Sequence, residues 1–253
     1  MLEQAFEWIK EHAAPHIIKA EDGKEYSDKT LRPVEAMAYR PGPPAAMNTT
    51  TLTSLVDFIT KEVDEETDFP LDRIILHIMA PGKVLLTSEV TETGERWDRV
   101  LAEAQVSKFP FGQFMDREDF NIQLQTKFVK DANTEALLAL IGNISDGVVT
   151  EGADDGITQR VTVRKGVQRV AATDVPNPVV LAPFRTFPEA VQPASPFVFR
   201  LQPARMEGQM PECALFEADG SQWRIQAMQN IKQWLTEQLP QDRLEEGNIV
   251  IIA

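Results

Sequence analysis

The sequence predicts an α+β fold, mainly antiparallel β-sheet with about five packed helices. Three observations carry that expectation. Strand-like runs come as hairpins, as in RIILHIMA and KVLLTSEV on either side of Pro81-Gly82, and not as alternating βαβ units. Helical periodicity is confined to short windows bounded by turn residues. Eight of the 17 prolines, at positions 176, 178, 183, 188, 193, 196, 203 and 211, crowd one segment and leave room there only for short strands and rigid turns.

In chain order, residues 2–13 place Leu2, Ala5, Phe6 and Ile9 at helical spacing beside Trp8, and Pro15 ends the pattern. This predicts an amphipathic helix that docks on its own core or on a neighbouring subunit. Glu25–Val34 reads as a strand after the Asp22-Gly23 turn, and Arg40-Pro-Gly-Pro-Pro44 forces an irregular linker. The organisation expected is a variable helix and linker over residues 1–45 and a single α+β domain over 46–253. A β-rich subdomain over 143–253 fits the same pattern. Beyond the linker, Leu55, Val56, Ile59 and Val63 share one face of a helix from Ser54 to Val63, with Thr53 as its N-cap. The hairpin Arg73–Ala80 and Lys83–Val90 follows. His77 lies inside its first strand, where a lone histidine is far more often a packed residue than a ligand. Trp97, Val100, Leu101 and Ala104 recur at i, i+3, i+4 and i+7, which predicts a helix ending near Val106.

Phe109, Phe111 and Phe114 surround Pro110 and Gly112 in an aromatic corner suited to plugging a core. Asp116 starts a helix whose first turn carries Glu118 and Asp119, where the helix dipole favours negative charge. Phe120, Leu124 and Phe128 form its buried stripe. A second, more apolar helix begins near Asn133 or Thr134 and stops at Gly142. Ile157–Arg164 alternates as a half-buried antiparallel strand, with Val148–Thr150 as its partner across the loop EGADDG. In the proline-rich segment, Val179–Leu181 and Phe197–Leu201 are strands. Ala214–Phe216 and Ser221–Ile225 flank Asp219-Gly220 as a hairpin, and Ala227–Leu239 is a final helix with Met228, Ile231, Trp234 and Leu235 on one face. The apolar run NIVIIA must be paired or covered, in its own sheet or across a subunit interface.

The chemistry-bearing motifs are few. The chain has 253 residues, a net charge of −14, three histidines and one cysteine, Cys213. That charge balance disfavours direct binding to nucleic-acid phosphates. No apolar run approaches the roughly 18 residues of a membrane span. The amino terminus lacks the pattern of a signal peptide, and the chain reads as intracellular. His12 and His16 are separated by a helix-breaking proline, and HExxH, GxSxG, GxxxxGK[ST] and GxGxxG are all missing, so neither a cofactor nor a metal is expected. Glu151, Asp154 and Asp155 do not match the spacing of a calcium loop and read as an acidic hairpin tip. The candidate residues are therefore interfacial. Arg160 and Arg164, on the exposed face of their strand, can meet Asp154 and Asp155 across a subunit boundary, and Ile249 and Ile251 lie in the terminal β-run.

Several stretches carry a resemblance: FPFGQF before an acidic helix start and IQLQTKF, then LIGNISDGVVTEGADDGITQRVTVRKG, VPNPVVLAPFRTFPEAVQP, ALFEADGSQW and NIVIIA. In these the chain resembles the YfdQ-like group of phage and prophage proteins, over roughly residues 47–253. The resemblance implies a phage gene product made in the bacterial host's cytoplasm, with no assigned activity and no active-site residues to transfer. The expectation is a non-enzymatic homo-oligomer that self-assembles, in one form as a closed particle. The alternative is an accessory factor in phage recombination, replication or counter-defence that binds a host or phage protein. An enzyme using carboxylates ranks behind both.

Overall fold

A computed structural model describes residues 16–21, 23, 25–27, 44–63, 73–91, 94–143, 148–151, 160–165, 168–174, 177–202 and 211–253, with the backbone alone between 148 and 174. The chain forms two compact units, Met1–Pro44 and Ala45–Ala253. In the first, strands β1 (Ile17–Lys19) and β2 (Glu25–Ser27) make an antiparallel hairpin turned at Gly23, whose φ of 81° suits glycine. The expected helix over residues 2–13 and the rest of the strand to Val34 lie outside the described residues.

The second unit begins with β3 (Met47–Thr49), α1 (Leu52–Thr60), β4 (Ile74–Ala80), β5 (Lys83–Ser88), β6 (Asp98–Glu103) and β7 (Met115–Asp116). Next come α2 (Arg117–Lys127), α3 (Ala132–Asn143), β8 (Val148–Glu151), β9 (Arg160–Lys165) and β10 (Gln168–Asp174). It ends with β11 (Val179–Leu181), β12 (Ser195–Gln202), β13 (Glu212–Glu217), α4 (Trp223–Gln238), α5 (Gln241–Glu245) and β14 (Ile249–Ile252). The fold is α+β. Its described strands form mostly antiparallel sheets, in the orders β14-β4-β5-β6-β3, β11-β12-β13-β7 and β10-β9-β8. Only the outermost strands of the first sheet are parallel to their neighbours, β14 to β4 and β3 to β6.

Each large sheet has its own core. Leu52, Leu55, Phe58 and Ile59 of α1 and Ile231 and Leu235 of α4 pack with Ile74, Leu76, Ile78, Val84, Leu86 and Val100 of the five-stranded sheet. Helix α1 starts at Leu52, two residues earlier than expected, because Thr51 is its cap and accepts from Ser54 N. The Glu189 carboxylate accepts from Leu52 N at 2.9 Å and occupies another of the free first-turn donors. The second core joins α2 and α3 to the four-stranded sheet. Phe109 meets Phe120 and Phe128 edge-on, at 5.8 and 5.1 Å between centroids, and Phe111 stacks on Phe197. The aromatic corner thus closes the sheet end, held by Gly112 N donating to Leu215 O at 2.8 Å. Asp116 caps α2 by accepting from Asp119 N, and Asp131 caps α3 by accepting from Thr134 N at 2.8 Å.

Three further expectations change. Residues 98–103 form strand β6, not a helix, because Val100 and Ala102 alternate onto the core face between β5 and β3. Spacing of i, i+3, i+4, i+7 over eight residues cannot separate that alternation from a helical stripe. Ser221–Ile225 is not the second strand of a hairpin: Ser221 and Gln222 form a turn, and Trp223–Ile225 are the first residues of α4. Asp219 accepts from Ser221 N at 3.0 Å and Trp223 N at 3.1 Å, and so starts a helix where Asp-Gly suggested a β-turn. Gly142 lies within the last turn of α3, one residue before its end.

Candidate functional site

Among the described residues, the side chains that the sequence singles out for their chemistry do not gather at one place. Cys213 sits in β13 inside the second core, and burial pushes its thiol up to about 12, outweighing the opposing pull of Arg117. A thiol so protonated at neutral pH is no nucleophile. The Asp119 carboxyl is raised, first by its hydrogen bond to Asp116 and then by that residue's charge, and both belong to the cap of α2. His77 is exposed on β4. Among the described residues no three His, Cys, Asp or Glu side chains gather where they could hold a metal ion.

What the structure does present is a sheet whose outer face is largely apolar at its β14–β4 end. Helices α1 and α4 occupy its inner face. On the other side, register places Ile252, His77, Leu85, Leu101 and Asn48 in one row across all five strands. Val250 lies beside Ile75 in the neighbouring row. These residues are exposed or half-buried, Val250 at 40% and Ile252 at 46%, and Met79 on the same face is exposed too. The cause is visible in the strands: IILHIMA and IVII carry apolar residues in both registers, the pattern of strands covered on two sides.

Among the described residues, the same sheet ends in an unpaired edge. Ile74 N donates to Asn248 O at 2.9 Å. The two-residue period of the parallel ladder then turns the peptide groups of Val250 and Ile252 towards β4, and those of Ile249 and Ile251 outward. No described strand pairs with that outer side. The edge has no lysine or proline, the usual guards against pairing with another chain.

The candidate interface residues are thereby placed. The Ile249 and Ile251 side chains face the core, Ile249 only 3% exposed, while their peptide groups line the edge. The exposed side chains of the strand are Val250 and Ile252, which the alternation within NIVIIA would have revealed. In β9, register puts Arg160 opposite Asp174, and Arg164 between Val148 and Arg169. The pairing of β8 with β9 is as the sequence suggested, with β10 on the far side as an addition. Asp154 and Asp155 lie outside the described residues.

Among the described residues no helix is long and apolar enough to cross a membrane. Comparison with known protein families, with curated proteins and with solved structures finds no match.

Proposed function

We propose that the protein is a non-enzymatic phage or prophage product, working in the bacterial host's cytoplasm, that acts by joining to further copies of itself. The observation that carries this reading is the unguarded edge of β14, continuous with a row from Ile252 to Leu101 that is apolar except for His77. The occupant argued for is a second copy, because two β14 edges laid antiparallel about a two-fold axis are self-complementary. Each copy offers the outward peptide groups of Ile249 and Ile251 to the other. No charged side chain lies in either strand, so the net charge of −14 is not concentrated at the contact. The product is a continuous sheet of two five-stranded halves, and the β3 edges at its ends allow growth towards a closed particle.

Light scattering on the purified full chain tests this directly. Dimers or larger species at micromolar concentration are expected, and a strict monomer overturns the proposal. An accessory factor that binds a host or phage protein through the same face is the reading a strict monomer would leave standing.

A further inference from the structure

Beside the turn between β4 and β5, in front of the first residues of α4, lies an open groove of about 530 Å3. Its walls are apolar: Pro81 of the turn, Val106 and Phe111 of the segment leading to α2, and Phe184 beyond β11. Its charged lining is four cations, Lys108, Lys127, Arg185 and Arg224, against one carboxylate, Glu217. In a chain of net charge −14 this is a local inversion of sign.

Glu217 does not meet the outer cations, because it is committed to Arg185. The Arg185 Nη1 stands 2.8 Å from Glu217 Oε1, Nη2 donates to Ser195 Oγ at 2.6 Å, and the guanidinium carbon lies 4.1 Å from the Trp223 ring centroid. Burial pulls this guanidinium below its ordinary value, and Glu217 and Asp219 oppose that pull. The arrangement fixes the back wall, with the indole held by the cation behind it. Lys127 Nζ donates to Lys108 O at 2.7 Å and ties the helix end to the opposite lip. Lys108 and Arg224 have no carboxylate partner among the described residues, whereas Lys61, Arg73 and Lys83 each have one. Phe184 is 41% exposed although its backbone is pinned by donation to Lys127 O at 2.8 Å. A phenyl ring held partly in water next to unpaired cations is stabilised by any ligand that covers the ring and supplies the charge.

We propose that the groove binds a small planar anion, an aromatic ring bearing a phosphate or carboxylate, with its ring on Phe184 and its anionic group met by Lys108 and Arg224. The volume suits a molecule of mononucleotide size. No hydroxyl, thiol or imidazole side chain lines the groove, and recognition is the role that its cations and its exposed ring support. This goes beyond self-association and does not depend on it.

The test is calorimetric titration of the full chain with adenosine 5′-monophosphate, 2-naphthoate, adenosine and inorganic phosphate. Both planar anions binding marks the shared chemistry, and one alone identifies its source as phosphate-bearing or carboxylate-bearing. Adenosine and inorganic phosphate, each with half of the recognition, are expected to bind at least roughly tenfold more weakly, a loss of one ionic or one ring contact. Arg224→Glu and Phe184→Ala are both exposed positions, and each is expected to weaken the planar anion by roughly tenfold with the circular dichroism unchanged. Failure of both planar anions to bind, or binding indifferent to both substitutions, overturns the proposal.

Discussion

Replacing Ile251 by proline separates the outer edge of β14 from its inner ladder. The peptide N–H of residue 251 points away from β4, so proline removes a donor from the open side and leaves the Val250 and Ile252 bonds to β4 in place. In the two-fold arrangement the outward groups of Ile249 and Ile251 in two copies make about four hydrogen bonds, worth about 1 kcal/mol each. Proline takes one donor from each copy, two bonds in all, and the expected loss is about 2 kcal/mol. That is a roughly thirtyfold rise in the dissociation constant. Sedimentation velocity over a concentration series reads this shift, and a thermal melt of the same sample shows that the sheet remains intact. A folded Ile251→Pro protein that associates as tightly as the natural chain refutes the assignment of the β14 edge.

Further outcomes follow from the cores and caps. Val250→Lys places a charge on the exposed side of the same strand and is expected to weaken association by roughly tenfold or more, with stability within about 0.5 kcal/mol of the natural chain. Phe120 is fully buried between Phe109 and Phe199, so Phe120→Ala should cost about 3–5 kcal/mol in urea denaturation. Glu189→Ala removes the carboxylate from the first turn of α1 and should cost about 1 kcal/mol, since Thr51 still caps the helix. The Cys213 thiol holds its proton in the folded chain up to about 12 and loses it near its ordinary value when unfolded. The folded state therefore binds the extra proton in that window, and stability falls as pH rises above the ordinary thiol value, by at most about 1.4 kcal/mol per pH unit. Cys213→Ala should flatten that part of the profile measured by denaturation at pH 8 and pH 10.

The parts of this fold legible in the sequence are those fixed by local chemistry. Pro81-Gly82 sets the β4–β5 hairpin, Asp116 starts α2, and the alternation in TQRVTVRKG marks β9. What was not legible depends on partners distant in the chain. The window around Val100 became a strand because β3 and β5 lie on either side of it, and no feature within eight residues announces those neighbours. Glu189 caps a helix 137 residues earlier in the chain, which no capping pattern in the sequence can show. The groove is the extreme case. Lys108, Arg185 and Arg224 are unremarkable one at a time, and only folding collects them beside Phe184. The edge of β14 stands between these cases, since the apolar run announced that it needed a partner while its parallel register beside β4 had to come from tertiary structure.

The groove and the edge meet the same strand at opposite ends, which makes their independence testable. β14 pairs with Ile74–His77, and the groove touches β4 only at Ala80. Three residue steps of extended chain, from His77 to Ala80, separate the two, about 10 Å. None of the groove's lining residues belongs to β14. A ligand shifts an association equilibrium only by the difference in its affinity for the two states, and the part of β4 that meets β14, Ile74–His77, is paired on both sides and lies outside the groove. Ile251→Pro and the natural chain should therefore bind a planar anion with the same dissociation constant, compared by calorimetry under the same conditions. A shift of more than roughly threefold, beyond about 0.6 kcal/mol, would show that β4 transmits occupancy of the groove to the edge.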